Sequence, residues 1–154
     1  MILSSSSSSS LLISLSQLVE EKVGFLQFNP HGNRIELLSL VPAHGKEAEQ
    51  LLKKKNKNPL WILFHNHKNF DFPSYHDVLV MLECDFRLQV ITTPKGYYVI
   101  EIKKKIPPHK HAEIIFHFQE LYPSLHVKKE EKAWVEKWNL TLNEKGLVFY
   151  FIEF

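Results

Sequence analysis

Two hydrophobic periods alternate along this chain. Leu11, Leu12, Leu15, Leu18 and Val19 fall at helical spacing, with Ser14, Ser16 and Gln17 between them, which predicts a short helix over 11–19 packed on a sheet. Residues 20–28 change to strand: Val23 and Phe25 alternate with Lys22 and Gly24, and Leu26 and Phe28 flank Gln27. Asn29 to Asn33 form a turn by composition, and 34–41 returns as a second strand, giving a hairpin. The run 46–55 is helical and ends in lysines, a solvated helix end whose cluster continues to Lys57. An apolar run at 60–64 predicts a short buried strand. Val78 to Leu82 then predict the apolar part of a helix ending near Glu83. Strands over 87–92 and 97–102 flank a tight turn at Thr93, Pro94, Lys95 and Gly96.

The last third repeats the pattern. Residues 110–122 are amphipathic, with Ile114, Ile115, Phe118 and Leu121 inward. Residues 126–138 carry Trp134, Val135 and Trp138 as a helical stripe. His111 and His117 are six apart, a poor spacing for one helix face, so no second metal site is expected there. The run 147–154 is a near-continuous aromatic strand that must be buried on both faces or pair with something. At the other end, the seven consecutive serines Ser4–Ser10 bury nothing, so 1–10 is expected to be a disordered tail.

Composition narrows the class. A chain of 154 residues suffices for one domain with a sizeable core, and 44% apolar with 23% charged residues is ordinary for a soluble globular protein. Net charge of +2 is too small to argue for nucleic acid. A single cysteine, Cys84, excludes an intramolecular disulfide framework and a zinc ribbon; within the predicted helix it reads as a buried core thiol. No apolar run is long enough to span a membrane, and no secretory signal is expected, so the chain is expected to be cytoplasmic.

The chemistry concentrates where the strand at 60–64 gives way to the helix. His65 and His67, at i and i+2, point to one face of an extended chain and suit a single metal ion. Ser74 fits a helix N-cap, and Asp77 falls in the first turn, where the helix dipole favours a carboxylate. Two imidazoles and a carboxylate are a known ligand set for catalytic zinc with one position open. Ser-x-x-Asp also fits a plain capping box, and both readings stand at this point.

His65-x-His67, a short loop and Ser74-x-x-Asp77 resemble the signature of the JAMM (MPN+) metalloprotease domain. Glu21-Lys22-Val23-Gly24-Phe25-Leu26 resembles that family's Glu-x-x-Gly-x-Leu near its first core strand. The resemblance covers roughly residues 15–102. It departs from the family pattern at two points: six residues separate His67 from Ser74, one fewer than in most members, and Lys68 stands where most have proline.

The resemblance implies a cytidine-deaminase-like α/β fold, a mixed β-sheet flanked by helices. The JAMM-like core is expected over 11–105, and 106–154, to which the resemblance does not extend, is expected to be a helix/strand extension of the same domain. The resemblance also implies Zn2+ held by His65, His67 and Asp77, Glu21 as general acid/base, and Ser74 as donor to the oxyanion. A Glu at a strand start is otherwise most often a surface carboxylate, and it is the register before Gly24 that singles out Glu21. The implied reaction is hydrolysis of an amide or isopeptide bond in a protein substrate, in this family often a ubiquitin or ubiquitin-like conjugate. The short connections resemble the compact prokaryotic or viral-type members.

Other readings weigh against this one. An inactive MPN-like scaffold usually lacks the ligands, which are present here, although the shortened loop favours it. RadC-type, DNA-repair-associated proteins share His-Asn-His and the fold but usually carry a helix-hairpin-helix region in front. Adjacent His-Asn-His is not the spread motif of an HNH nuclease, and an amidohydrolase barrel needs about 250 residues.

Overall fold

A computed structural model describes residues 6–31, 34–53, 61–68, 72–122 and 131–154. The expected lysines at 54, 55 and 57, the strand start at 60, the helix start at 126–130 and residues 1–5 of the expected tail lie outside them. The chain folds as helices α1 (Ser6–Ser16), α2 (Lys46–Leu52), α3 (Tyr75–Glu83), α4 (His111–Glu120) and α5 (Glu131–Leu142) around strands β1 (Lys22–Asn29), β2 (Arg34–Pro42), β3 (Trp61–Asn66), β4 (Leu88–Thr92), β5 (Gly96–Ile102) and β6 (Leu147–Glu153). The six strands form one open mixed sheet in the order β2-β1-β3-β4-β5-β6. All neighbours are antiparallel except β3 and β4, which run parallel with α3 between them in the chain.

Alternation along the strands sorts the core into two layers. Leu26, Ile62, Phe64, Val90, Tyr97 and Val99 face α1, which contributes Leu12 and Leu15. Val23, Phe25, Leu63, Ile91, Tyr98, Ile100 and Phe149 face the other way, against α2 to α5. On that side Phe118 of α4 stacks on Trp138 of α5 at 4.9 Å, and Trp138 packs on Phe149 of β6 at 5.3 Å. The C-terminal extension therefore shares a core with the first hundred residues. Among the described residues no helix is long and apolar enough to cross a membrane.

The structure corrects two expectations. The first helix begins at Ser6, within the serine tract expected to be a disordered tail, and ends at Ser16. Ser8 is buried, and its hydroxyl accepts the Ile35 N–H at 3.1 Å. It lies one turn before Leu12, on the packed face, where a small side chain able to satisfy a strand amide is tolerated. Cys84 is half-buried at the C-cap of α3, not inside it, because the chain turns at Asp85 with φ of 59°. The aromatic strand expected to be buried on both faces or to pair with something is β6, an edge strand that pairs with β5. It buries Leu147, Phe149 and Phe151 while leaving Tyr150 and Ile152 exposed.

Gly24 sits where β1 comes closest to β2, beside an irregularity in register between Phe25 and Leu26. A Cβ at this position would overlap the carbonyl oxygen of Ser39, a backbone atom that has no rotamer to escape through. Gly24→Ala is expected to lower stability by about 1–3 kcal/mol, the usual cost of forced overpacking, read as a lower urea midpoint.

Candidate metal centre

β3 ends in the middle of the sheet, between an antiparallel and a parallel neighbour. The antiparallel neighbour brings the start of β1 beside the end of β3, with Val23 opposite His65. The parallel neighbour brings the end of β4 alongside, and the Thr92 carbonyl accepts the His67 N–H at 2.8 Å. The carboxyl end of a strand where connections diverge is a favoured place for a site in α/β sheets.

His65 and His67 project to one side, their ring centroids 4.9 Å apart and nearly perpendicular. His65 Nδ1 lies 2.8 Å from the Lys22 carbonyl oxygen. A carbonyl only accepts, so Nδ1 carries the proton and Nε2 is left with its lone pair toward Asp77, 3.9 Å from Oδ1. His67 Nε2 lies 3.0 Å from Asp77 Oδ2. His67 and Asp77 are buried and His65 is largely so.

Asp77 holds this pair through the first turn of α3. Ser74 caps the helix: its hydroxyl accepts the Asp77 N–H at 3.2 Å, and its own N–H donates to Asp77 Oδ2 at 2.8 Å. The capping-box reading and the ligand reading describe the same carboxylate. Gln89 of β4 secures the turn from below, donating from Nε2 to the Asp77 carbonyl at 3.0 Å.

The charges of these groups are mutually set. Burial alone pushes His67 down, but the hydrogen bond and charge of Asp77 outweigh it and hold the ring above its ordinary 6.5. Burial favours the neutral carboxyl of Asp77, yet the His67 hydrogen bond and charge, with His65, hold it below the usual carboxylate value. For His65 burial wins and the ring is held below 6.5. The two rings are thus shifted in opposite directions, His65 toward the neutral form and His67 toward the charged one.

The donor set fits a metal ion. His65, His67 and Asp77 each offer an atom, all within 4.8 Å of one another, and no other such group of three occurs among the described residues. A tetrahedral ion with bonds near 2.0–2.1 Å sets its ligands about 3.3 Å apart, between the two His-to-Asp distances seen here. His65 has the orienting second hydrogen bond that metal-binding histidines commonly make.

Glu21 is not one of the three donors but lies near enough to influence two of them. It immediately precedes β1, is half-buried, and its charge reaches both histidine rings. Its Oε2 lies 3.8 Å from Nε2 of the exposed His44. Asn66, between the two histidines, takes the Lys22 N–H on its Oδ1 and donates to the Glu20 carbonyl at 3.0 Å, so the backbone on both sides of Glu21 is pinned. Ser74 also lines a cleft of about 310 Å³ with Tyr75, Gln119 and Tyr122. A larger groove along α3 and α4, lined by Leu79, Ile115 and Phe116 among others, includes none of the ligand residues.

Sequence reasoning singled out His65, His67 and Asp77, which the structure brings together, as well as Glu21 and Ser74. It missed Asn66, Gln89 and Tyr122. Asn66 carried a readable signal, since a polar residue fully buried between two ligands needs partners of its own. Gln89 and Tyr122 carried none, because their roles depend on which elements pack together. Compared with protein-family models, with curated proteins and with solved structures, the chain has no match.

Two outcomes follow from the charge states. The folded value of His67 is raised, so its stabilisation is full below pH 6.5 and is lost as pH rises through that folded value. Asp77 is depressed, so its share is present above 3.8 and lost as pH falls through its lowered value. In metal-free protein, His67→Ala is therefore expected to cost more stability at pH 6 than at pH 8.5 by urea denaturation. Metal must also displace the His67 proton. Affinity for added Zn2+, measured by competition with a chromophoric chelator, is expected to rise about tenfold per pH unit until His67 is neutral.

Proposed function

We propose that this chain is a zinc-dependent hydrolase of the JAMM type that cleaves an amide or isopeptide bond in a protein substrate, with ubiquitin-like conjugates the first class to test. The observation that carries the reading is the convergence of His65, His67 and Asp77 on one point, with Glu21 held beside it. The arrangement of ligands at a strand end and helix start inside a mixed sheet agrees with a JAMM-like, cytidine-deaminase-like fold. Two imidazoles and one carboxylate leave a fourth position free and favour zinc over the oxygen-seeking ions.

A bound zinc ion supplies the Lewis acidity that activates water and polarises the scissile carbonyl. Glu21 takes a proton from the attacking water and returns it to the leaving amine. The site geometry suits this exchange: Glu21 is half-exposed, and its backbone is fixed by Asn66. The Ser74 hydroxyl accepts from the Asp77 N–H, which leaves its own proton free to donate to the developing oxyanion. Asp77 and His67 pair with each other at 3.0 Å, and together with His65 they are the residues that would hold the ion.

Mass spectrometry of the purified protein is expected to find one zinc per chain, lost in His65→Ala/His67→Ala and in Asp77→Ala. Glu21→Ala is expected to keep the metal and abolish hydrolysis in a screen of ubiquitin-like conjugates. Ser74→Ala is expected to cost on the order of a hundredfold in rate. A wild-type chain that takes up no zinc after reconstitution would turn the reading to an inactive scaffold. Unchanged hydrolysis in Glu21→Ala would sink the acid–base role.

A further inference from the structure

The cleft beside Ser74 has a second wall that no ligand residue explains. It is built by Gln119, in the last turn of α4, and by Tyr122 just beyond the helix, whose N–H donates to the Gln119 carbonyl at 3.1 Å. The Tyr122 ring is held by three aromatic neighbours: Phe118 at 5.6 Å, Trp138 at 6.3 Å and Phe72 at 6.5 Å. Phe72 in turn belongs to the segment leading into Ser74, so the two walls are packed on each other.

The Tyr122 ring is thereby packed while the residue stays half-buried, and among the described residues its hydroxyl makes no hydrogen bond. A tyrosine commonly presents an apolar body to the core and a polar tip to an open site. Here it lines a cleft shared with a second uncommitted hydroxyl proton, that of Ser74. Burial, with the charge of Asp77 adding to it, pushes Tyr122 up to about 12, so the phenol stays protonated and serves as a donor. Among the described residues the cleft is lined by neutral side chains only, Ser74, Tyr75, Gln119 and Tyr122. Two neutral donors suit a neutral carbonyl.

Building on the zinc-hydrolase reading, we propose that Tyr122 is a further catalytic residue. Its hydroxyl, with that of Ser74, donates to the carbonyl oxygen of a neutral amide seated in the cleft between the start of α3 and the end of α4. The C-terminal extension is then part of the active site, and a chain cut after residue 105 would lack one of its donors. The cleft, at about 310 Å³, admits one or two residues flanking the scissile bond rather than a folded domain.

The test uses the full-length chain loaded with Zn2+ and two probes of the metal: acetohydroxamate, whose carbonyl oxygen stands in for that of the substrate, and azide, which has none. Tyr122→Phe removes only the hydroxyl and keeps the ring contacts. It is expected to bind one zinc as the wild type does, to bind azide equally, and to bind acetohydroxamate about tenfold more weakly by calorimetry. Unchanged acetohydroxamate affinity would overturn the Tyr122 role while leaving the zinc reading intact. Equal weakening of both probes would overturn it too, by exposing a general distortion of the site. A wild-type chain that binds no zinc would overturn both readings, and the zinc measurement alone separates that outcome from the others.

Discussion

The site hangs on one buried carboxylate. Asp77 Oδ2 takes the Ser74 N–H at 2.8 Å and faces His67 Nε2 at 3.0 Å, so a single atom caps α3 and ties that helix to the end of β3. A buried charge needs partners, and breaking such a pair usually costs several kcal/mol because the remaining charge is stranded. The same need holds the ligand set together before any ion arrives. Asp77 raises the pKa of His67 against the opposing effect of burial, while burial lowers that of His65.

The sheet supplies the rest of the geometry. Antiparallel pairing sets Val23 against His65, which carries Glu21 to the carboxyl end of β3. The peptides around Glu21 are then caught from β3: Asn66 holds Glu20 and Lys22, and His65 Nδ1 donates to the Lys22 carbonyl. Close approach of β1 and β2 at Gly24 excludes a side chain there. The glycine and the glutamate three residues before it are thus linked by one strand and one pairing, a physical reason for the spacing Glu-x-x-Gly.

The C-terminal third serves the same end from the other side. Phe118, Trp138 and Phe149 form a stacked cluster between α4, α5 and β6, and Phe72 inserts its ring against Trp138 at 6.2 Å and Tyr98 at 6.4 Å. The loop that delivers Ser74 and Asp77 is therefore anchored on the extension. The packing of Phe72 thus helps set where α3 starts and brings Asp77 to the histidines.

What the sequence determined by itself was local. The continuous apolar run at 60–64 and the one at 78–82 marked β3 and α3, and His65-x-His67 with Ser74-x-x-Asp77 marked the candidate donors, since strand pleat and helix cap fix side-chain direction over a few residues. The serine tract misled, because a serine in a polar run looks solvated until a strand amide such as that of Ile35 needs an acceptor. Tertiary structure alone decided that β1 lies beside β3, that Asn66 pins the peptides around Glu21, that Gln89 supports Asp77 and that Tyr122 faces Ser74 across a cleft. These contacts join residues far apart in the chain, and their partners are chosen by strand pairing and by the fit of large aromatic rings, neither of which is written in any short window of residues.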